Sequence, residues 1–356
     1  MDTGHVAKPL WGRGPFACLA ALNTIQVIRL SDSGWDLGEL VRPLNTSNQG
    51  NETINSLSTA RDVGHESTGN SPSAIRENGS SSDHAPAPVS FPSIKLRGMK
   101  IHVVTRKQTV DHLIQCVCQN IGGWVVTPNL DILRRYTKCS SFRNLVATSS
   151  LNVADGVPLV WASRVKGVPV PERVNGTDLM IDVCEAASWV GKSVFFLGGN
   201  EGSAEKTAAT MKSDFPDLKV AGCYCPEFGF EQSIESIEEI GEILAAAKPD
   251  IIFVGLGSPK QDVLINMLRL KMPSTWWLGV GVSFSFVAGE LSRAPDWAKK
   301  SGFEWLYRLF SEPKRLFKRY LVHGVPFLAT TLLISGFDRF RNRKDHKAKA
   351  VVEPAG

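Results

Sequence analysis

The chain has 356 residues, 43% hydrophobic and 21% charged, with 31 Gly, 20 Pro and a formal net charge of +5; this excludes a collagen-like or wholly disordered chain and leaves room for two domains, or one larger domain with appendages. The charge is unevenly placed, with 6 basic and 9 acidic residues in 1–93, 21 of each in 94–298, and 13 against 5 in 299–356. The basic excess therefore belongs to the tail, which points to an anionic partner among nucleic acid, an acidic membrane surface and a phosphorylated ligand.

Near the N-terminus an apolar run at 15–22 is preceded only by Lys8 and Arg13, and no clean small-residue cleavage site follows, so it does not read as a secretory signal. Residues 46–90 hold 26 Ser, Asn, Thr, Gly and Pro among 45. They carry too little apolar surface to offset the entropy of ordering, and 1–92 is expected to be a disordered extension. The seven Cys show no CxxC spacing, since Cys116/Cys118 and Cys223/Cys225 are CxC pairs. They read as reduced, packing thiols of a cytoplasmic protein, without the ligand set that a zinc site needs.

From Ile94 onward, short apolar runs alternate with helical patterns. Buried strands are expected at 123–127 (GWVVT), 192–197 (KSVFFL), 218–222 (LKVAG), 250–255 (DIIFVG) and 276–282 (WWLGVGV), with helices near 110–119, 176–189, 202–213, 234–247 and 259–270. That alternation predicts an α/β fold with a doubly wound parallel sheet. In such sheets ligands sit beyond the carboxyl ends of the strands. Those ends carry Thr127-Pro128-Asn129, the glycine loops at 198–202 and 255–257 leading to Gln261, and Gly281-Val282-Ser283.

Taken singly, each motif has two readings. The stretch LGGNEG at 197–202 suits a phosphate at a helix N-terminus, or a plain glycine turn. Asp155, before Gly156, suits a general base at a cleft lip or an Asp-Gly turn. The segment at 257–261 suits nucleotide binding or an ordinary capped helix.

In the tail, 303–320 (FEWLYRLFSEPKRLFKRY) has amphipathic spacing unless Pro313 divides it. At about 100° per residue a continuous helix would bring Arg308, Arg315 and Arg319 within roughly 40° of one another. The apolar run 320–337 is slightly short of the ~20 residues a spanning helix needs, and His323, Gly324 and Pro326 interrupt it. Shallow insertion or docking is the expectation. A basic cluster of Arg339, Arg341, Arg343 and Lys344 follows, with no nucleic-acid-binding module around it.

Taken together, TPN at 127–129, ADG at 154–156, PERVNGTDL at 171–179, FFLGGNEG at 195–202, FVGLGSPKQ at 253–261, VAGELSRAP at 287–295 and EWLYRLFSEPKRLFKRY at 304–320 form one ordered set. In it the chain resembles the WecG/TagA/CpsF family of bacterial glycosyltransferases. The resemblance implies a Rossmann-like, GT-E-type domain over 93–298 and a basic, membrane-associating appendage over 299–356. It implies an inverting transfer from a UDP-sugar, such as UDP-N-acetylmannosamine or UDP-glucose, to a polyprenyl-diphosphate-linked sugar, by an enzyme peripheral to the inner face of the cell membrane. Neither metal nor other cofactor and no nucleic acid is expected, and self-association is left open. By motif match Asp155 is the base, with Thr127 beside it and Asn129 in the acceptor-side pocket. Gly198, Gly199, Gly255, Gly257 and Gln261 fall where the donor is held, and Arg308, Arg315, Lys318 and Arg319 match the cations that meet a diphosphate. The chain departs from the family at Ser285, where many relatives carry an acid, which leaves the donor sugar open. A non-catalytic UDP-sugar or lipid-diphosphate binder on the same scaffold is the alternative.

Overall fold

The computed structural model describes residues 90–293 and 313–352, with short pieces at 30–31, 34–35, 295, 307 and 309–310. The expected N-terminal extension lies almost wholly outside these residues, as do Arg308 and the side chain of Arg315.

From residue 90 the chain begins with an antiparallel hairpin of β1 (Ser93–Leu96) and β2 (Met99–His102). Its two-residue turn places Arg97 at φ 50° and Gly98 at φ 87°, the left-handed pair that matches strand twist. Helix α1 (Arg106–Cys118) begins with a capping box: the Thr105 hydroxyl accepts from the Gln108 N–H, and the Gln108 side chain accepts from the Thr105 N–H. There follow β3 (Gly123–Val126), α2 (Leu130–Lys138), α3 (Ser140–Val146), β4 (Leu151–Asn152), α4 (Val157–Lys166) and α5 (Gly176–Trp189). Then come β5 (Ser193–Gly198), α6 (Ser203–Asp214), β6 (Lys219–Tyr224), α7 (Ile234–Ala247), β7 (Ile251–Gly255), α8 (Lys260–Leu268), β8 (Trp276–Gly279) and the short α9 (Ser283–Val287).

The last six strands form one parallel sheet in the order β4-β3-β8-β7-β5-β6. Successive residues point to opposite faces, so each strand feeds two apolar layers. Trp124, Phe195, Ile252 and Trp277 pack beneath α2, α3, α4, α7 and α8. Val125, Phe196, Phe253 and Trp276 pack beneath α1, α5, α6 and α9. Burial on both faces explains why the strands read as unbroken apolar runs, and the doubly wound α/β expectation holds. Cys116 and Cys184 belong to the second layer as free thiols, and burial pushes the Cys184 thiol well up.

Three boundaries differ from expectation for local reasons. β8 ends at Gly279, not 282, because Val280 to Val282 turn into α9, with Gly281 at φ 59°. The stretch 130–166 holds three unforeseen helices, the first of which buries only Ile132 and Leu133. Pro326 does not break the tail helix: α10 (Pro313–Phe317) runs into a π-helical turn, Lys318–Gly324, and then into α11 (Val325–Val352). A π-turn is a known way for a helix to absorb such a misfit.

Helix α11 lies along α4. Phe327, Thr331 and Ser335, spaced four apart, are buried there, and Lys166 pairs with Asp338. Away from α4, Leu333, Phe337 and Phe340 are each more than 60% exposed.

Candidate functional site

Strand order decides where the chain can hold a ligand. From β5 the connection runs to β6 on one side, and from β7 it runs to β8 on the other. The carboxyl ends of β5 and β7 therefore flank a topological switch point, the usual crevice of such sheets. The two glycine loops meet there, the Gly199 N–H donating to the Gly255 carbonyl at 3.1 Å. Gly198 has φ 98°, and a Cβ on it would lie 2.7 Å from Leu256. Close loop packing thus requires glycine at this position, independently of any bound anion.

On the other side of β8 lie Thr127, Asn129 and Asp155. The Thr127 hydroxyl is buried and donates to the Gly279 carbonyl at 3.1 Å, tying β3 to β8 beyond their carboxyl ends. Asn129 caps α2, its Oδ1 accepting from the N–H groups of Asp131 and Ile132 at 3.0 Å each. Asp155 is half-buried, and its N–H donates to the Pro128 carbonyl at 2.9 Å. The Ala154 carbonyl beside it accepts from the Val174 N–H at 2.8 Å. The chain therefore holds a carboxylate on fixed backbone at the mouth of the sheet, beside Thr127-Pro128-Asn129. This is what a base acting on a bound hydroxyl requires.

Gln261 lies on the glycine-loop side, but its role differs from direct presentation to a ligand. It is 4% exposed, and its Oε1 accepts from the Gly257 and Gly281 N–H groups at 3.1 Å each. It staples the two loops together through their backbone. Of the tail cations, Lys318 is exposed and Arg319 pairs with Asp131 on α2 at 3.3 Å. The π-turn also lies against the first turn of α2, since a Cβ on Gly324 would be 3.8 Å from Leu130. The appendage is therefore joined to the helix that Asn129 opens.

Two polar groupings escaped the sequence reading. Glu290 accepts from the Ser203 hydroxyl at 2.7 Å and from the Asn200 amide at 3.1 Å, and these bonds hold its carboxyl below the usual range. Ser285, at the position that departs from the family, shares the same Asn200 amide at 3.3 Å. Arg293 pairs with Asp178 at 2.6 Å, and Arg106 pairs with Asp182 at 2.6 Å. Residues 289–293, which lead toward the appendage, are thus pinned to α6 at one end and α5 at the other. The one signal for this was that PERVNGTDL and VAGELSRAP both carry charges. Their pairing spans 115 residues. Among the described residues no group of three or more His, Cys, Asp or Glu could hold a metal ion.

Two buried groups titrate in opposite senses. Burial pushes the Asp262 carboxyl up to about 6, with Ser258 and Arg135 pulling the other way. Burial and then Lys100 lower His102 to about 4, and its Nδ1 accepts from the Asn152 N–H at 2.9 Å. Between about pH 4 and 6 the native state keeps a proton on Asp262 that the unfolded chain has lost, so this group's stability contribution falls as pH rises. His102 does the reverse, because the unfolded imidazole holds a proton that the native one lacks. Asp262→Asn leaves the histidine unopposed, so its melting temperature is expected to climb more steeply across that window than wild type. Parallel melting curves would contradict this.

The profile of the Glycosyl transferase WecG/TagA/CpsF family matches residues 94–341. The chain is 31% identical over 215 residues to the N-acetylglucosaminyldiphosphoundecaprenol N-acetyl-beta-D-mannosaminyltransferase of Bacillus spizizenii (strain ATCC 23059 / NRRL B-14472 / W23), covering 60% of this chain and 80% of that one. It is 29% identical, with the same coverage, to the protein of the same name from Bacillus subtilis (strain 168).

Proposed function

The chain belongs to the WecG/TagA/CpsF family of glycosyl transferases, and from that premise we propose that it moves a sugar from a UDP-sugar to a sugar carried on a polyprenyl diphosphate. The relatives named above are transferases to N-acetylglucosaminyldiphosphoundecaprenol, which supports the acceptor class. The observation that carries the reading is the grouping of Asp155 with Thr127 and Asn129 on one side of β8, facing a stapled pair of glycine loops on the other.

In this reading Asp155 takes the proton of the acceptor hydroxyl as that oxygen attacks the anomeric carbon. The bond to UDP breaks on the opposite face, so configuration inverts. The departing diphosphate gains negative charge, which backbone N–H groups at the α6 and α8 N-termini and the tail cations stabilise. Purified protein with a lipid-diphosphate-linked sugar and a panel of UDP-sugars is expected to release UDP with one donor preferred. UDP binding without turnover on any acceptor would instead favour the non-catalytic reading.

The appendage has a second role in this proposal. Lys318–Arg341 is long and apolar enough to cross a membrane by length and composition alone. The contacts of α11 with α4 and the Lys166–Asp338 pair favour a helix lying along the domain, with Leu333, Phe337 and Phe340 meeting the acyl chains. Arg341, 75% exposed, is the cation offered to anionic headgroups on the cytoplasmic face, whereas the Arg339 side chain lies against Gly167 at the end of α4. Binding to anionic liposomes in flotation assays is expected to weaken with salt and to disappear on deleting 303–356. Equal flotation of the truncated protein would remove the appendage from this role.

A further inference from the structure

Helix α4 has no part in the chemistry above, yet it leaves apolar side chains uncovered. Leu159, Val160, Ala162 and Ser163 are buried, while Trp161 is 40% exposed and Val165, one turn on, is exposed with it. Val168 follows Gly167, whose φ of 90° ends the helix, and is exposed too. Single exposed apolar residues are ordinary on a protein surface, but a contiguous patch marks a place of contact.

The neighbouring helix makes this patch contiguous. On α11, Leu333, Phe337 and Phe340 are exposed at positions i, i+4 and i+7, which confines them to an arc of about 60°. Gly336 stands about 40° from Phe340 at the edge of that arc, and a Cβ on it would lie 3.7 Å from the Val165 Cγ1. Val165 is therefore the point at which the α11 stripe meets α4. Trp161 and Val168 extend the stripe from the appendage onto the sheet domain.

Charge around the patch decides what covers it. No Asp or Glu occurs in 156–171 or in 313–337, and Asp338, the next acid of α11, pairs with Lys166. The exposed Arg164 and Arg341 lie at the outer edges, Arg164 about 60° around α4 from Trp161 on the side away from Val165, and Arg341 about 40° beyond Phe337. A second copy seated face to face would bring these cations together. An apolar strip with a cationic border instead fits the surface of an anionic bilayer.

The place of α4 in the chain gives the patch its consequence. The helix opens at Gly156, directly after Asp155, and Trp161 lies four residues beyond Val157, about 6 Å of helix rise. A tryptophan at the level of the lipid headgroups would put Asp155 close to that same depth.

We propose that α4 is a second membrane-contact element, in which Trp161, Val165 and Val168 continue the apolar stripe of α11 into an anionic bilayer and set Asp155 at headgroup depth, where the diphosphate end of a lipid-linked acceptor lies. This rests on the reading that α11 meets the membrane, and extends that contact from the appendage to the domain that carries Asp155.

The test is flotation of the full chain with vesicles of equal parts phosphatidylglycerol and phosphatidylcholine. Trp161→Glu is expected to weaken vesicle binding by about tenfold and Val168→Glu by about threefold, whereas Trp161→Phe stays within about twofold of wild type. Trp189→Glu is the control, because Trp189 is 76% exposed but ends α5, on the opposite face of the sheet, and its flotation is expected to match wild type. A cooperative thermal melt identifies the folded variants, and Val168→Glu, outside the helix, decides the matter if Trp161→Glu lacks one. Wild-type flotation by both Glu variants, or an equal loss in Trp189→Glu, would overturn the proposal. So would sedimentation that shows a lipid-free dimer dissolved by Trp161→Glu, which would give the face to a second copy. A wild-type protein that floats through Trp161 yet turns over no acceptor would keep the membrane face and sink the transferase reading instead.

Discussion

Asp155→Asn is expected to lower turnover by about a thousandfold while leaving UDP binding intact, because general-base assistance contributes in the range of 10²–10⁴ and the amide cannot accept the proton. The backbone around Asp155 argues for a clean effect. Its N–H is held by the Pro128 carbonyl and its neighbour Ala154 by the Val174 N–H, so neither contact depends on the carboxylate. Asn is also nearly isosteric, so the melting temperature should change little. Calorimetry with UDP and a radiolabelled donor assay together separate binding from chemistry. Near-full turnover by Asp155→Asn would mean that another group takes the proton, and the base assignment would fall.

Gln261→Ala is expected to have the second largest effect, and on binding more than on the chemical step. Removing the side chain leaves the Gly257 and Gly281 N–H groups without the oxygen that both share. Both donors are part-buried, so water can replace some of the lost bonding; a stability loss of about 1–3 kcal/mol and a fall in UDP affinity on the order of 100-fold are expected. Gly279→Ala offers an independent route to the same outcome. A Cβ there would lie 2.5 Å from the Gln261 Nε2, forcing that side chain out of its place without altering its chemistry. Thermal melts and UDP calorimetry on both variants should therefore move together. A Gly279→Ala protein with normal UDP affinity would show that the staple is not what holds the donor loop.

The legible parts of the chain were those whose signal is local. IIFV in β7 and VFFL in β5 are buried on both faces, so their strands are continuous apolar runs that need no partner to be recognised. Helix α7 repeats its buried residues, Ile237, Ile240, Gly241 and Leu244, at helical spacing. The hairpin at Arg97-Gly98 was missed because its turn lacks the usual Asn-Gly or Asp-Gly pair, and β4 because two residues cannot show a period. Helix α2 was missed because its nine residues give little more than two turns over which a helical period could be read.

The site was legible in part for the same reason. Thr127, Asn129 and Asp155 could be named because strand ends and short motifs are local features, and the structure does bring them together. The roles of their neighbours could not. Asn129 and Gln261 both carry amides that suit a ligand, yet in each case the oxygen accepts from two backbone N–H groups. Arg319, read as one of the cations that meet a diphosphate, is paired with Asp131.

By itself, then, the sequence determined the alternation of strand and helix, the loops at the carboxyl ends of the strands, and the confinement of basic charge to the tail. Each follows from short-range physics: burial pattern, backbone preference and composition. The tertiary structure alone decided the strand order, which puts the two glycine loops on either side of one switch point. It also decided which polar side chains are engaged with backbone and which charges are paired, as Arg319 with Asp131 and Arg293 with Asp178. Such pairings depend on contacts between residues a hundred or more positions apart. Local preference does not specify these, because an amide or a guanidinium bonds whatever partner the packing of the whole sheet brings within reach.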